Sequence, residues 1–420
     1  MLKTFFRYSL AAVFCGVCAI ATLSAQDGAG VVIMGEKHTD PKLLFIPDQS
    51  PNAQHVARNL NNCGWFEMVR SGGRSDYIIS MASSGNTVTL TLKNGAGVKI
   101  ADFYGRSSDP ELRAAEAVDA VLKNLFNIPG ICRSAIVFSV ETGRNCREIY
   151  MCDFNGRNIK PVTNNRTLSI EPAWAPDGKS IIYCFYGNSY TTLVQYRFDI
   201  GKSRRLTSYR GMNAGGALSP DGRYLALVLS RDGQVDLYVR PTDGGDLKRL
   251  TRNKSVEASP AWTPDGRYIC FVSDETGRPQ LYVIAPDGSG KVRLTGLRGS
   301  ERVTPDFAAN GLLAYTAKIG GTYTLAVAEG SGRSWQDSDN VTIGGKTISC
   351  EGPSWAPDNR HVVIADRGRL YIVDTWHGKR RQLLSGSSRT GPQFFTDRSR
   401  LCCRNLIFLP HWNFSGSNWD

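Results

Sequence analysis

The chain has 420 residues, 41% of them hydrophobic, with 43 glycines and 19 prolines. That is enough for two or three domains with sizeable cores, and the wealth of turn formers favours many short strands over long helices. The formal net charge is +12, but no clustered Lys/Arg tract accompanies it, so nucleic acid is a poor partner. An anionic lipid, an anionic polysaccharide or an acidic protein fits better.

Residues 1–25 differ from the rest. Lys3 and Arg7 precede the apolar stretch LAAVFCGVCAIATL, and SAQDG follows. This is the pattern of a secretory signal peptide, with cleavage expected near Ala25. Cys15 and Cys18 lack the Leu-x-small-Cys context of a lipid anchor, and no later segment is apolar for long enough to cross a bilayer. A soluble protein outside the cytoplasm is expected. Nine of the 11 cysteines lie beyond the signal without any Cys-x-x-Cys pair, so no structural zinc is expected. Cys184 and Cys270 sit in apolar runs and read as core residues. Cys146 with Cys152, or Cys132 with a C-terminal partner, could form disulfides in an oxidising space.

Residues 26–130 read as a small α/β domain. They carry 10 Lys+Arg against 11 Asp+Glu, which leaves a charge of +11 on residues 131–420. KLLFIPD (42–48) is a strand candidate. A helix follows, with Ser50 as its cap, Pro51 in its first turn, and Val56, Leu60 and Cys63 as its apolar stripe; Gly64 ends it. WFEMV opens a strand, and residues 76–105 alternate like a meander with a turn at NGAG. SSDPELRAAEAVDAVLKNLFN is a second helix, capped by Ser108 or Asp109, with Leu112, Ala115, Val118, Val121, Leu122 and Leu125 along one face.

From residue 131 to about 400 only strands and turns are expected. An aromatic or apolar strand, a Pro-Asp-Gly turn and an apolar strand recur, as in PAWAPDGKSIIYCF, GALSPDGRYLALVL, PAWTPDGRYICFV and PSWAPDNRHVVIAD. The residue that opens the turn falls at Pro176, Pro220, Pro264, Ala309, Pro357 and Thr396, and a short RLT strand ends several units. Units of this length with four strands are propeller blades. The fragments 135–163 and 391–399 complete one another, so a six-bladed β-propeller of WD40-like (PD40) repeats is expected, closed by the C-terminal strand. Residues 401–420 form an extension. Trp174, Trp262 and Trp355 occupy equivalent places and are expected to pack between blades, with Leu218 and Phe307 as weaker substitutes. Asp177, Asp221, Asp265 and Asp358 read as turn carboxylates that bond nearby backbone N–H groups, and Gly178, Gly222 and Gly266 as the positive-φ positions.

The order of these parts resembles the TolB family. SDETGRPQLYVIAPDGSGKVRLT (273–295) and VARNLNNCGWFEMV (56–69) are similar to the family's wording. The resemblance implies a monomeric periplasmic component of the Tol–Pal system that works without catalysis or cofactor. It implies a propeller that binds the peptidoglycan-associated lipoprotein Pal, an N-terminus that meets a TolA-type inner-membrane protein or docks back on the body, and a role in outer-membrane integrity and cell division.

The loops that enter each blade lie at one mouth of the channel and the Pro-Asp-Gly turns at the other. Four of the entering loops contain a glutamate, Glu171, Glu257, Glu301 and Glu351, which reads as a ring of carboxylates able to orient a partner. With the resemblance, Asn213, Gly215, Glu257, Ala258 and Ser259 are the expected Pal-facing residues. The alternatives are a lyase or hydrolase using these mouth acids, and a glycan- or peptide-binding protein using Trp335, Trp376, Trp412 and Trp419. No Gly-x-Ser-x-Gly elbow or His-Glu-x-x-His motif is present, so a hydrolase lacks its usual nucleophile and metal site. His55, on the first helix, reads as packed.

Overall fold

In the computed structural model, residues 38–187, 190–331, 334–337, 342–343 and 346–384 are described. The expected signal peptide, the closing strand expected at 391–399 and the extension 401–420 lie outside the described residues, as do Trp412 and Trp419. The N-terminal domain comprises β1 (Lys42–Ile46), α1 (Asn52–Asn62), β2 (Glu67–Val69), β3 (Tyr77–Ser84), β4 (Thr87–Asn94), β5 (Lys99–Gly105) and α2 (Pro110–Phe126). They form one mixed sheet in the order β2-β1-β3-β4-β5. Strand β1 runs parallel to its neighbours β2 and β3, and β3, β4 and β5 form an antiparallel meander. Alternation decides which face is covered: Val88, Leu90 and Leu92 of β4 are buried, and the threonines between them are not.

The two helices differ in how they start. Asp109 caps α2, its carboxylate accepting the Leu112 N–H at 2.9 Å, and Pro110 takes the first helical position. Ser50 does not cap α1 as expected. Its hydroxyl turns to Asp48 and Ser83, Pro51 stands at the cap position, and only the Ser50 carbonyl serves the helix, through the Ala53 N–H. Gly64 ends α1 at φ +72; a Cβ there would lie 2.6 Å from His361 Nε2, so only glycine permits this approach of the helix end to the last blade.

The propeller has six blades. Blade 1 has three described strands, Ala135–Gly143, Cys146–Asp153 and Lys160–Pro161. Blades 2 to 6 are four-stranded antiparallel meanders whose first strands are Ser169–Trp174, Asn213–Leu218, Glu257–Trp262, Arg302–Phe307 and Glu351–Trp355. Threonines that follow the outermost strands fasten them, Thr207 and Thr251 in RLT and Thr163 in PVT. The hydroxyls of Thr163, Thr207 and Thr251 accept the N–H groups of Ile149, Leu193 and Leu237 at 2.8, 3.3 and 2.9 Å. Trp174, Trp262 and Trp355 are buried, and each shares its apolar cluster with the preceding blade. The Trp262 indole also donates to Ala217 O of that blade at 3.0 Å.

Blades 1 and 6 meet directly. Arg381 of blade 6 lies over the Phe154 ring of blade 1 and donates to its carbonyl at 3.1 Å. Gly156 approaches Leu383 so closely that a Cβ would fall 2.0 Å from its carbonyl oxygen. The seven described cysteines are free thiols. Cys146 and Cys152 cannot pair as anticipated: they stand at opposite parts of one strand, about 20 Å apart in extended chain, whereas a disulfide needs Cα atoms within about 7 Å. Cys184 and Cys270 are core residues, and burial pushes both thiols upward.

Candidate functional site

The first strands of blades 2 to 6 share an irregularity that builds one mouth of the wheel. In each, the pairing register with the second strand shifts across two residues. The residue that opens the bulge is held at positive φ in all five: Glu171 (56°), Gly215 (63°), Ser259 (48°), Thr304 (51°) and Gly352 (61°). Proline follows in four of the five. For residues other than glycine this backbone region costs roughly 1–2 kcal/mol, and bulges of this kind re-aim strand ends. Neighbouring bulges touch. Glu171 Oε2 accepts the Gly215 N–H at 3.3 Å, and a Cβ on Gly215 would meet Pro260 of the next blade at 2.9 Å.

The expected carboxylate ring does not assemble. Aligned on the aromatic or leucine that ends each first strand, the four glutamates stand at four different positions, so their environments differ. Glu257 is fully buried, accepts from Asn253 Nδ2 at 3.0 Å, and is pushed toward the neutral form chiefly by that burial. Glu301 is spent on Lys318 at 2.7 Å and the Tyr323 hydroxyl at 2.5 Å. Glu171 is half-buried in its interblade bond, and only Glu351 is exposed. Asn213 is also buried: its amide closes the 209–213 loop on Tyr209 N, Tyr209 O and Gly211 O. Gly215 is buried, while Ala258 and Ser259 are half-exposed at the mouth. Beside the bulges, Asp306 accepts the Trp355 N–H of blade 6 at 2.7 Å, and burial raises its carboxyl to about 7.

The turn carboxylates occupy the opposite ends of the first strands. Asp177 accepts Lys179 N, Asp221 accepts Ser219 Oγ and Arg223 N, and Asp265 accepts Thr263 Oγ1 and Arg267 N. Gly178, Gly222 and Gly266 follow at positive φ, a place taken in blade 6 by Asn359 at 56°. Asp358 departs from this series. It is buried and accepts from Trp65 Nε1 of the N-terminal domain at 2.9 Å and from His361 Nδ1 at 2.6 Å. Burial alone would raise its pKa, but His361 and the indole donor outweigh it and hold the carboxyl at about 2.

Asp358 thereby joins a seam between the domains. Arg360, fully buried, lies between the rings of Trp65 and Trp376 at 4.9 and 4.4 Å. Its guanidinium binds Asp374 and Asp40, with shortest distances of 2.7 and 2.9 Å. Trp376 is therefore committed to the seam, and Trp335 is buried against Phe307, so neither is an exposed platform for a sugar ring. His55 pairs with Glu111 at 2.6 Å. Sequence reading missed Arg360, Asp40, Asp374 and the bulge residues Thr304 and Gly352. The repeated x-Pro step before the aromatic strand end is the signal that could have revealed the bulges. Among the described residues no group of three or more His, Cys, Asp or Glu could hold a metal, and no helix is long and apolar enough to cross a membrane.

A six-bladed wheel, entered through bulged first strands and seamed to a small α/β domain, defines a two-domain β-propeller protein. The family model described as the TolB beta propeller domain matches residues 122–389. The chain belongs to the TolB family. The Tol-Pal system protein TolB of Desulfosudis oleivorans is 33% identical over 84 residues, 20% of this chain and 19% of that protein. The TolB homolog of Chlorobium chlorochromatii is 28% identical over 147 residues, 34% of this chain and 33% of that one. These alignments span a third or less of the curated relatives. The crystal structure of TolB from Acinetobacter baumannii has the same fold, with a TM-score of 0.74 at 20% identity over 89% of this chain and 98% of that one.

Proposed function

We propose that this chain is a non-catalytic interaction protein of the Tol–Pal system, working in the periplasm after loss of a signal peptide cut near Ala25. Its partner is a Pal-type lipoprotein that docks on the bulged mouth and so supports outer-membrane integrity and cell division. A TolA-type partner is assigned to the segment ahead of β1. The observation that carries this reading is the repetition of one bulge, Glu171 to Gly352, in five consecutive blades, with a residue other than glycine held at positive φ in three of them, Glu171, Ser259 and Thr304. Backbone strain of this kind, held at one place in three blades, clusters at functional surfaces. The surface is built on paired strands rather than on long loops, which limits the ordering cost of binding. Glu351 is its exposed side chain, and Glu171, Ala258, Ser259 and Thr304 are partly exposed there.

The test is capture from detergent-solubilised envelope with the signal-less full chain. Recovery of an outer-membrane lipoprotein supports the reading, and Ser259→Lys and Glu351→Lys should each weaken it. Unchanged capture by both variants removes the mouth as the docking surface. Turnover of a glycan or peptide panel by the chain would replace the reading with an enzymatic one.

A further inference from the structure

Three of the nine large apolar side chains exposed among the described residues lie within seven residues of one another: Val98, Ile100 and Tyr104, at 62, 46 and 47%. No other two of the nine are so close in sequence. The three belong to β5 and the turn that leads into it, and β5 is an edge of the N-terminal sheet. Edge strands are usually kept short, charged or interrupted by proline, so that they do not pair with another chain. The opposite edge, β2, follows that rule with three residues, whereas β5 has seven and no proline. Its pairing with β4 slips by one residue at Ile100, which leaves residues 101–105 in regular register.

The backbone of this edge is served at its ends and open between them. Val98 N donates to Asn94 Oδ1 at 2.9 Å, and Arg106 N and Ser107 N donate to Glu116 Oε2 at 2.9 and 3.1 Å. Between these points the N–H and C=O groups that face away from β4 have no partner among the described residues. Gly105 passes directly against the backbone of Arg113, so α2 fixes the far end of the strand. Cations flank the open stretch. Lys93 stands opposite Lys99 at one end, and the Arg106 guanidinium lies over the Tyr104 ring at 5.1 Å at the other. The nearby carboxylates are already engaged, Asp102 by Lys99 at 2.6 Å and Thr91 at 2.8 Å, and Glu116 by the two amides just named. Lys93 and Arg106 are left without a carboxylate among the described residues.

Together these features select one kind of occupant. A row of open backbone groups calls for another strand, since main-chain hydrogen bonds give such pairing its affinity and alternate side chains give it specificity. A bilayer would cover the apolar side chains but makes no use of strand N–H and C=O groups. A second copy of the chain would bring its own Lys93 and Arg106 to the same edge and be repelled. Carboxylates at both ends of the incoming strand complement the two cations, and apolar residues between them cover Ile100 and Tyr104. We propose that β5 takes up an extended, acid-flanked segment of a partner protein as a sixth strand of the N-terminal sheet. This surface belongs to the N-terminal domain and is separate from the bulged mouth of the propeller.

The test is a fluorescence-anisotropy titration of the full signal-less chain with the labelled peptide Glu-Asp-Val-Thr-Val-Thr-Tyr-Thr-Asp-Glu. Two twins accompany it, one with lysine in place of each acid and one with proline in place of each valine. The expected result is that the acidic peptide binds, that both twins bind at least tenfold more weakly, and that hydrogen exchange at residues 100–105 slows when the acidic peptide is present. Ile100→Ser with Tyr104→Ser should weaken the acidic peptide at least tenfold. Lys93→Glu with Arg106→Glu should do the same and gain affinity for the lysine twin, a gain that an unfolded variant would not show. The proposal is overturned if the acidic peptide does not bind, if the proline twin binds as tightly, if exchange at β5 is unchanged, or if the charge-reversed variant keeps the wild-type preference. Binding of phosphatidylglycerol vesicles in place of the peptide, or self-association through this edge in sedimentation, would overturn it as well.

Discussion

The indole N–H of Trp65 donates to the carboxylate of Asp358 at 2.9 Å, joining residues 293 positions apart. Trp65 stands between α1 and β2 of the α/β domain, and Asp358 is the turn carboxylate of the last blade. One residue type thus does two jobs. In blades 2 to 4 the aspartate only shapes its turn, and in blade 6 it also fastens the domains together.

Replacing Trp65 by Phe keeps the ring against Phe126 and Arg360 but removes the donor. A hydrogen bond to a charged group contributes about 1.5–3 kcal/mol. Urea unfolding of Trp65→Phe should show a loss in that range, and an unchanged midpoint would mean the bond contributes nothing.

Arg360→Met tests the rest of the seam. The substitution removes the guanidinium shared by Asp40 and Asp374 and leaves Asp40 with His377 Nε2 at 3.0 Å, and breaking a buried pair in this way costs about 3–5 kcal/mol. Because the guanidinium spans the two domains, the variant should unfold in two steps where the wild type unfolds in one. Differential scanning calorimetry checks both points; a single transition at the wild-type temperature would contradict them.

Asp306 sets a pH dependence. Its folded carboxyl, at about 7, lies above its ordinary value of 3.8. A group raised on folding contributes stability that is full below the unfolded value and is lost as pH rises through the folded one. The wild type should therefore lose stability between about pH 4 and 7. Asp306→Asn keeps an acceptor for the Trp355 N–H without the charge. Its Tm relative to the wild type should rise between pH 5 and 8.5; a constant difference would show that Asp306 is ionised throughout.

Two glycines separate backbone strain from packing. Gly222, at φ +72, has open space where a Cβ would go, while Gly215, at φ +63, has Pro260 at 2.9 Å. Gly222→Ala should cost only the left-handed conformation, about 1–2 kcal/mol. Gly215→Ala should cost a further 1–3 kcal/mol or so of overpacking. Equal losses in denaturant titrations would mean that adjacent bulges do not press on one another.

What could be read from the sequence was periodic and local. The Pro-Asp-Gly phrase, the tryptophans and the RLT threonines recur at blade spacing because each does the same job in each blade. That made the propeller and its strand order legible before any coordinates. Asp109 was legible as a cap because capping is decided within four residues, and the same rule failed at Ser50, where Asp48 and Ser83 compete for the hydroxyl. The glutamates share loop membership without sharing a position. A shift of one or two residues along a bulged strand moves a side chain from solvent to core, and Glu257 and Glu351 show both outcomes. Arg360 gave no local sign at all, since every partner that defines it comes from a distant part of the chain or from tertiary packing.

The central claim is that the bulged mouth is the docking surface, and a binding titration tests it most directly. The purified periplasmic portion of a Pal-type lipoprotein is titrated into the full signal-less chain, into Ser259→Lys with Glu351→Lys, and into Lys202→Glu with Lys248→Glu at the opposite side. The account predicts that the mouth variant weakens binding at least tenfold and that the opposite-side variant matches the wild type. Loss confined to the opposite-side variant, or no saturable binding by the wild type, would contradict it.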